Sequence, residues 1–420
     1  MGFLTALRRS PVIWLAAPVL VVAFLFAGGA ADYQGSHFGG YTVFWTCRAA
    51  LGVTGGLAAL AAWEAGRLRA GAVWRLAPGR GRYRIGADAL RPVLALALAA
   101  DAAALANAAR LVGAGPRTED AAAAAVVLVV QGGLIVAGFG LGTVLPRAVA
   151  PPAALIGVTL WLAVPATLGT PWVRYLNGMV NDAPTVTDDL APRVLVAPVL
   201  VAGGVIAAVL LASLPLRGRL LRAGVAVACL AAGAVPAQAL VADSGYATPM
   251  VPRTGAQRCL GDAPPVCVPE ELSDTLPRLR GAADRALPRL ASAGVPRPER
   301  IAYVSRNTDL GANSWRIYVQ SPLSAEQALV SVATAVVPAP PRCPALPDDY
   351  PRPDPRPLTG WLLLVAGVDA HETAGLTGAA AARDASRVRA QPVSAQRGWF
   401  RAEMRELGSC DPRVMGTSPR

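Results

Sequence analysis

Runs of about twenty uncharged residues recur through the first 242 positions of the chain and then stop. A helix needs roughly 20 apolar residues to cross about 30 Å of hydrocarbon, so these runs constrain the fold more than any other feature. They predict an all-α polytopic membrane bundle over residues 1–242 and a helix-rich α+β domain over 243–420. The predicted transmembrane helices number about seven: about 12–30, 42–63, 92–112, 121–145, 150–168, 194–214 and 223–242.

The arginines predict the orientation of this bundle. Short cytoplasmic loops carry an excess of basic residues, and 13 arginines lie on one set of sides of the spans against three on the other. The richer sides hold Arg8, Arg9, Arg67, Arg69, Arg75, Arg80, Arg82, Arg84, Arg91, Arg147, Arg217, Arg219 and Arg222. The poorer sides hold Arg117, Arg174 and Arg193. We therefore expect a multi-pass protein of the cell membrane with a cytoplasmic N-terminus and an extracytoplasmic C-terminal domain.

Two predicted spans leave alternatives open. The first follows Arg8 and Arg9 and ends among small residues, as a signal peptide does. Its cleavage would leave six spans and the same side for the C-terminus. The span at 150–168 contains Pro151, Pro152 and Pro165, and its loss would invert everything downstream.

The chain contains no lysine, since all 39 basic residues are arginine. With alanine and glycine so abundant, this composition is typical of a GC-rich bacterial genome. A P-loop needs its lysine to reach the phosphates, and a Schiff base needs a lysine amine, so neither chemistry is available here. An ATP-driven process would need an ATPase on a separate chain. The basic excess lies in loops beside the spans, which favours membrane orientation over nucleic-acid binding.

Cysteine positions agree with this orientation. Cys47 and Cys229 lie in predicted spans, where they suit packing. The other four lie in the part predicted to be outside: Cys259, Cys267, Cys343 and Cys410. An even set in an oxidising compartment predicts disulfides, and the short loop around Pro264 and Pro265 favours Cys259–Cys267, which leaves Cys343–Cys410. Zinc is the alternative, but the C-x7-C spacing is not that of a zinc knuckle.

The C-terminal domain shows patterns of both helix and strand. Strands are expected at 300–305 and 315–320, and residues 338–357 hold nine prolines, which predicts an extended linker. The predicted helices are 269–293, 324–337 (opened by a capping box of Ser324 and Gln327), 361–368 and 393–407.

No catalytic or metal-binding motif is complete, and we expect neither an enzyme nor a bound cofactor. The segment that begins with His371 and Glu372 resembles a zinc-protease helix, but Gly375 stands where the second histidine is required. No G-x-S-x-G elbow is present either. Gly138 and Gly142 in the fourth span form a small-xxx-small face, which indicates close helix packing.

Polar residues inside the predicted spans are candidates for function, because each needs a partner in lipid. They are Arg48, Asp101, Asn107 and Gln131. Arg48 and Asp101 could pair across neighbouring antiparallel helices, with an offset of roughly 6 Å. Alternatively, Arg48 and Arg110 extend independently towards the membrane surface.

The longest predicted cytoplasmic loop, 64–91, is a candidate docking segment. Its basic and aromatic side chains include Arg67, Arg69, Trp74 and Arg75. These residues could contact anionic lipid headgroups or a cytoplasmic protein, with Trp74 as the apolar anchor.

The overall plan resembles bacterial ABC-transporter permease subunits. The resemblance rests on the Arg-flanked first span, on Ala61-Ala62-Trp63-Glu64-Ala65-Gly66-Arg67 at the end of the second, and on Arg258-Cys259 and Val266-Cys267-Val268-Pro269-Glu270 in the outer domain. It implies that loop 64–91 docks a separate ATPase subunit. The leading hypothesis is therefore a permease-like subunit with the lipid bilayer, an ATPase and homo- or hetero-oligomer subunits as partners. The alternative is an envelope receptor or scaffold anchored by its transmembrane bundle.

Overall fold

The computed structural model describes residues 11–73, 81–214, 218–311, 313–319, 322–341, 343 and 351–415. It divides into two units, Met1–Val251 and Pro252–Arg420, and each is described by itself.

Among the described residues of the N-terminal unit, seven helices are long and apolar enough to cross a membrane. In chain order they are α1 (Val12–Phe26), α2 (Gly39–Ala70), α3 (Arg82–Val112), α4 (Ala121–Val144), α5 (Ala150–Ala163), α6 (Pro192–Ala212) and α7 (Arg219–Val241). Each coincides with one predicted span, so the sequence identifies the candidate membrane helices correctly. The prolines at positions 151 and 152 lie in the first turn of α5, where a helix tolerates them.

Two helices are longer than the apolar runs that predict them. α2 continues to Ala70 rather than ending near residue 63, and α3 begins at Arg82 rather than near residue 92. Alanine and arginine are good helix formers, so the polar ends continue the helices beyond their apolar stretches.

Helix α2 lies at the centre of the bundle and packs against α1, α3, α4 and α5. Gly138 of α4 lies against the backbone carbonyl of Ala58, and Gly142 lies against that of Ala62. A Cβ at either glycine would overlap the backbone of α2. The small-xxx-small pattern thus marks a real close approach between these two helices.

The C-terminal unit contains a four-stranded sheet in the order β3-β4-β5-β6. Its strands are β3 (Gln257–Leu260), β4 (Val266–Pro269), β5 (Arg300–Ala302) and β6 (Ser314–Arg316), whereas β1 (Asp188–Leu190) and β2 (Met250–Pro252) form a separate pair. β3 and β4 are antiparallel, and the other two pairings are parallel. The predicted strands at 300–305 and 315–320 are therefore shorter than expected, and β3 and β4 were not predicted.

Six α-helices of the described part of this unit accompany the sheet. They are α8 (Leu276–Ser292), α9 (Ala325–Thr334), α10 (Arg356–Ala366), α11 (Ala370–Thr377), α12 (Ala379–Arg389) and α13 (Val393–Leu407). The predicted helix at 269–293 is wrong in its first turns, because a 3-10 segment at Glu270–Thr275 precedes α8. Ser324 and Gln327 form the predicted capping box at the start of α9.

Both disulfides join the cysteine pairs that were predicted from the sequence. Cys259 of β3 lies opposite Cys267 of β4 and is bonded to it, so this bridge closes a hairpin. Cys343 is bonded to Cys410 across a separation of 67 residues. The second bridge therefore ties the proline-rich segment to the end of the domain.

Candidate functional site

A cavity of about 140 Å³ lies at the end of the bundle where α2, α4 and α6 begin. Helix α2 contributes one face, since its lining residues recur three or four positions apart. The segment between α5 and α6 completes the wall with Gly178, Met179 and Val180. Most of the wall is apolar, while charged side chains line part of it. This combination is typical of a small-ligand site.

Arg48 contributes a guanidinium to this wall. Its Nη1 donates a hydrogen bond of 2.9 Å to the carbonyl oxygen of Val180. The group also lies 5.4 Å from the ring centre of Phe44 and 5.6 Å from that of Trp45. Among the described residues, no carboxylate forms an ion pair with Arg48, so the suggested pairing with Asp101 is absent. A backbone carbonyl and two aromatic faces hold this cation instead.

The segment that carries Val180 is fixed by its own hydrogen bonds. Asn177 is buried, and its amide donates to the carbonyl oxygens of Trp161 and Leu162 at the end of α5. Gly178 has a φ of +80°, a conformation that glycine adopts without steric cost. The chain can therefore turn back over the mouth of the bundle and present its next carbonyls to α2.

A second charged group at the cavity centres on Arg117, which the sequence analysis did not select. Its Nη2 contacts Asp120 at 2.7 Å and Asp189 at 3.5 Å, and its Nη1 contacts Glu119 at 3.3 Å. The guanidinium also lies 4.4 Å from the ring centre of Phe38. Three carboxylates thus share one arginine, and all three line the cavity. The local signal was Arg117-x-x-Asp120 directly before an apolar helix, which resembles a capping arrangement.

Deeper in the bundle, Asp101 and Gln131 form a polar contact. The Gln131 amide donates to the carbonyl oxygen of Ala50 at 3.0 Å and to Asp101 Oδ1 at 3.3 Å. Thr54 donates to the same Ala50 carbonyl. These contacts join α2, α3 and α4. In each helix the contacting residue lies about ten residues, or about 15 Å, from the helix end nearest the cavity. Two of the predicted polar residues are therefore brought together, one helical turn below Val127 of the cavity wall.

Asn107 has a different role from the other predicted polar residues. Its amide donates to the carbonyl oxygen of Phe24 at 2.8 Å, and its Oδ1 accepts from Arg110. It therefore binds α3 to α1, and it does not contribute to the cavity wall.

The opposite end of the bundle holds two of the predicted docking residues, Arg67 and Arg69. Arg67 pairs with the buried Glu64 at 2.7 Å, and Arg69 donates to the carbonyl oxygen of Val144 at 2.7 Å. Both guanidinium groups thus contact their own chain while remaining partly exposed. Trp74 and Arg75 lie outside the described residues.

No group of three or more histidine, cysteine or carboxylate side chains is placed to hold a metal within the part of the chain that the structure describes. His371 and Glu372 begin α11, where their backbone amides donate to Asp369, the N-cap residue. The segment that resembles a zinc-protease helix is therefore the capped first turn of α11.

Glu372 also interacts with a second carboxyl group, that of Glu326. A side-chain hydrogen bond with Glu326 raises the pKa of Glu372 from 4.5 to about 7, and some burial and the neighbouring Asp369 contribute. A carboxyl with a raised folded-state pKa stabilises the protein at low pH and loses that contribution as pH rises. We expect the melting temperature of the wild type to fall between pH 5 and pH 8 relative to that of Glu372→Gln. Equal pH dependence in the two proteins would contradict this shared-proton pair.

Comparisons with known proteins give one result. A family model described as "Domain of unknown function (DUF7224)" matches residues 266–410, about a third of the chain. The match begins with β4 and ends at Cys410, so it includes α8 to α13 and the Cys343–Cys410 bridge. No curated protein matches the chain, and no solved structure does.

Proposed function

We propose that this protein is a membrane-embedded, permease-like subunit of an ABC-type transport system whose ATPase is a separate chain. The observation that carries the proposal is the cavity at one end of the helical bundle. A bundle that only anchors an outer domain needs closely packed helices and gains nothing from such a space. This bundle instead keeps Arg48, which lies inside a predicted span, beside a cavity, although a charged group is expensive within a membrane.

The other end of the bundle supports the docking part of the proposal. α2 and α3 continue beyond their apolar stretches into the predicted 64–91 loop, and residues 71–81 connect the two helices. Tyr83 donates to the carbonyl oxygen of Leu210, and Arg82 donates to that of Ser213, so the start of α3 is held against α6. A rigid platform of this kind can transmit force from a partner to the helices that line the cavity.

The proposed topology has a cytoplasmic N-terminus and an extracytoplasmic C-terminal unit in the membrane of a bacterial cell. The arginine distribution supports this orientation, and the two disulfides suit an oxidising compartment. Under this topology the cavity faces outward and the 64–91 loop faces the cytoplasm.

Fusions at the C-terminus test the topology. We expect alkaline phosphatase fused after residue 420 to be active, because it folds only outside the cytoplasm. A fluorescent protein that fails to mature outside should stay dark at the same position. A fusion at residue 77, within the 64–91 loop, serves as the matched control and should give the opposite pair of results. Bright fluorescence at the C-terminus without phosphatase activity would contradict the proposed orientation.

Co-purification tests the transport assignment. A P-loop ATPase should copurify with the intact protein in mild detergent, and Trp74→Ala combined with Arg75→Glu should reduce its recovery at least tenfold. Loss of an aromatic interface anchor and reversal of a charge together remove about 2 kcal/mol or more. Arg219→Glu, on another predicted cytoplasmic loop, is the control and should leave recovery unchanged.

An envelope receptor or scaffold remains the second candidate, because a cavity at the outer end could bind a signal ligand without transport. The same purification separates the two. Absence of any ATPase with the intact protein, or equal recovery with the double variant and the control, would favour the receptor.

A further inference from the structure

We propose that the end of the bundle opposite the cavity binds an anionic phospholipid through the guanidinium groups of Arg69 and Arg147, which contact the headgroup phosphate. The site lies where α2 ends beside the short turn that connects α4 to α5. The proposal rests on the membrane insertion proposed above, but it does not depend on transport or on an ATPase.

Arg69 is held at the carboxyl end of α4 by backbone carbonyl groups. Its Nη1 donates to the carbonyl oxygen of Val144 at 2.7 Å and lies 3.4 Å from that of Thr143. These bonds involve Nη1 alone among the nitrogen atoms of the guanidinium. Because the residue is exposed, its other N–H groups can donate to a bound oxyanion.

Arg147 is held by an aromatic ring of α2. Its guanidinium lies 4.3 Å from the ring centre of Trp63. Its aliphatic part passes Gly66 so closely that a Cβ there would lie 3.2 Å from Cγ of the arginine. Trp63, Gly66 and Arg69 follow one another at intervals of three residues, so the two guanidinium groups lie along the same side of α2.

The two arginines form a positive site without a counter-ion of their own. Among the described residues, no carboxylate forms an ion pair with either of them. Glu64 is the single acidic residue in the sequence of α2, and it is buried and pairs with Arg67 at 2.7 Å. A phosphate group would supply the missing negative charge, and a planar guanidinium can donate to two of its oxygens at once.

Exposed apolar side chains beside the arginines favour a lipid over a soluble anion. Val144 and Val149 are 74% and 50% exposed, and they stand on either side of Arg147 in the chain. Trp63 is partly buried, and tryptophan is enriched where a membrane meets water. Acyl chains would cover this apolar surface, whereas a free phosphate would leave it in water. Basic pockets between membrane helices bind anionic headgroups in this way.

Lipid retention by the purified full-length protein tests the proposal. The protein is placed in nanodiscs that contain phosphatidylglycerol and phosphatidylcholine in equal amounts, and the lipid that stays bound after transfer to detergent is identified by native mass spectrometry. We expect phosphatidylglycerol to be retained over phosphatidylcholine, because only the former has a net negative charge. Glycerol phosphate in excess should not displace it, since it lacks acyl chains. Equal retention of the two lipids, or displacement by glycerol phosphate, would overturn the proposal.

Paired arginine variants locate the site. Arg69→Gln combined with Arg147→Gln should reduce retention of phosphatidylglycerol about tenfold or more, since each arginine near an anionic lipid contributes roughly fivefold to binding. Arg84→Gln combined with Arg219→Gln is the matched control. It removes two exposed arginines from the same predicted side of the membrane and changes the net charge equally, and it should bind as the wild type does. Equal losses in both pairs would show a diffuse attraction to the basic face and reject a localised site.

A substitution that preserves both charges gives a second test, which applies even if the loss of both arginines prevents folding. Trp63→Leu removes the ring that holds the guanidinium of Arg147. It should lower retention of phosphatidylglycerol about threefold, in line with an exposed cation–π contact. Unchanged retention would contradict the role of Arg147 in this site.

Failure here is distinguishable from failure of the proposed function. The ATPase test depends on Trp74 and Arg75, which do not belong to this lipid site. A detergent-extracted protein that copurifies with an ATPase but shows no preference for phosphatidylglycerol would keep the transporter and reject the lipid site. A protein that is soluble without detergent would reject membrane insertion and the lipid site together.

Discussion

Serine at both Cys343 and Cys410 should lower the free energy of unfolding of the C-terminal unit by about 4 kcal/mol, because the broken bridge closes a long loop. The bond spans 67 residues and ties the proline-rich segment to the end of the domain. Without it, the unfolded chain regains the entropy of that loop. Pulse proteolysis of the full-length protein in urea, followed through a C-terminal tag, measures the change.

The short Cys259–Cys267 bridge provides the matched control. Cys259 and Cys267 are only eight residues apart, so their replacement by serine should cost about 2.5 kcal/mol in the same chain-entropy account. Peptide mapping without reductant should recover both linked pairs from the wild type. A larger loss from the short bridge than from the long one would contradict the assignment. Free thiols at all four of these cysteines in the purified protein would contradict it as well.

The helical framework could be predicted because its helices have the length and the apolar composition of membrane spans. A segment in hydrocarbon must satisfy its own hydrogen bonds, so each long apolar run indicates a helix. The ends of α2 and α3 could not be predicted in this way. The last turns of α2 and the first turns of α3 are polar, and hydropathy does not distinguish a polar extension of a helix from a loop.

The cavity could be predicted only in part, because its partners are distant in the chain. Arg48 was recognisable as a cation within a predicted span, but it donates a hydrogen bond to a backbone carbonyl 132 residues away. Every residue has such a carbonyl, so no side-chain type marks the partner. Arg117 was counted only as a loop arginine, since its contact with Asp189 depends on how the α5–α6 segment turns back. Gln131 and Asp101 were each identified, but their contact depends on the packing of both α3 and α4 against α2.

In the C-terminal unit, short strands escaped prediction for a related reason. β3 and β4 are four residues each, and their hairpin depends on the disulfide register as much as on β propensity. The apolar run near Trp361, in contrast, was correctly identified as a core helix. In this unit the buried apolar helix was therefore predicted better than the short strands.

Trp361→Ala should destabilise the C-terminal unit by about 3–5 kcal/mol, because it removes a large side chain from a closely packed core. Trp361 is fully buried, and its indole N–H donates to Gln396 Oε1 at 3.0 Å. The ring contacts Trp399 and Phe400 of α13 with centroid separations of 5.8 and 5.6 Å. Alanine would leave a cavity and remove the donor from a buried acceptor.

Trp399 is the control for this substitution, since it touches the same cluster but is only partly buried. Trp399→Ala should cost clearly less, about 1–2 kcal/mol, in proportion to the smaller apolar area that it removes from water. Urea titration with pulse proteolysis of the full-length protein measures both variants. Because a domain is stable by only about 5–15 kcal/mol, Trp361→Ala should leave a detectable unfolded fraction at 37 °C. Equal losses for the two tryptophans would show that α10 does not pack against α13 as the structure describes.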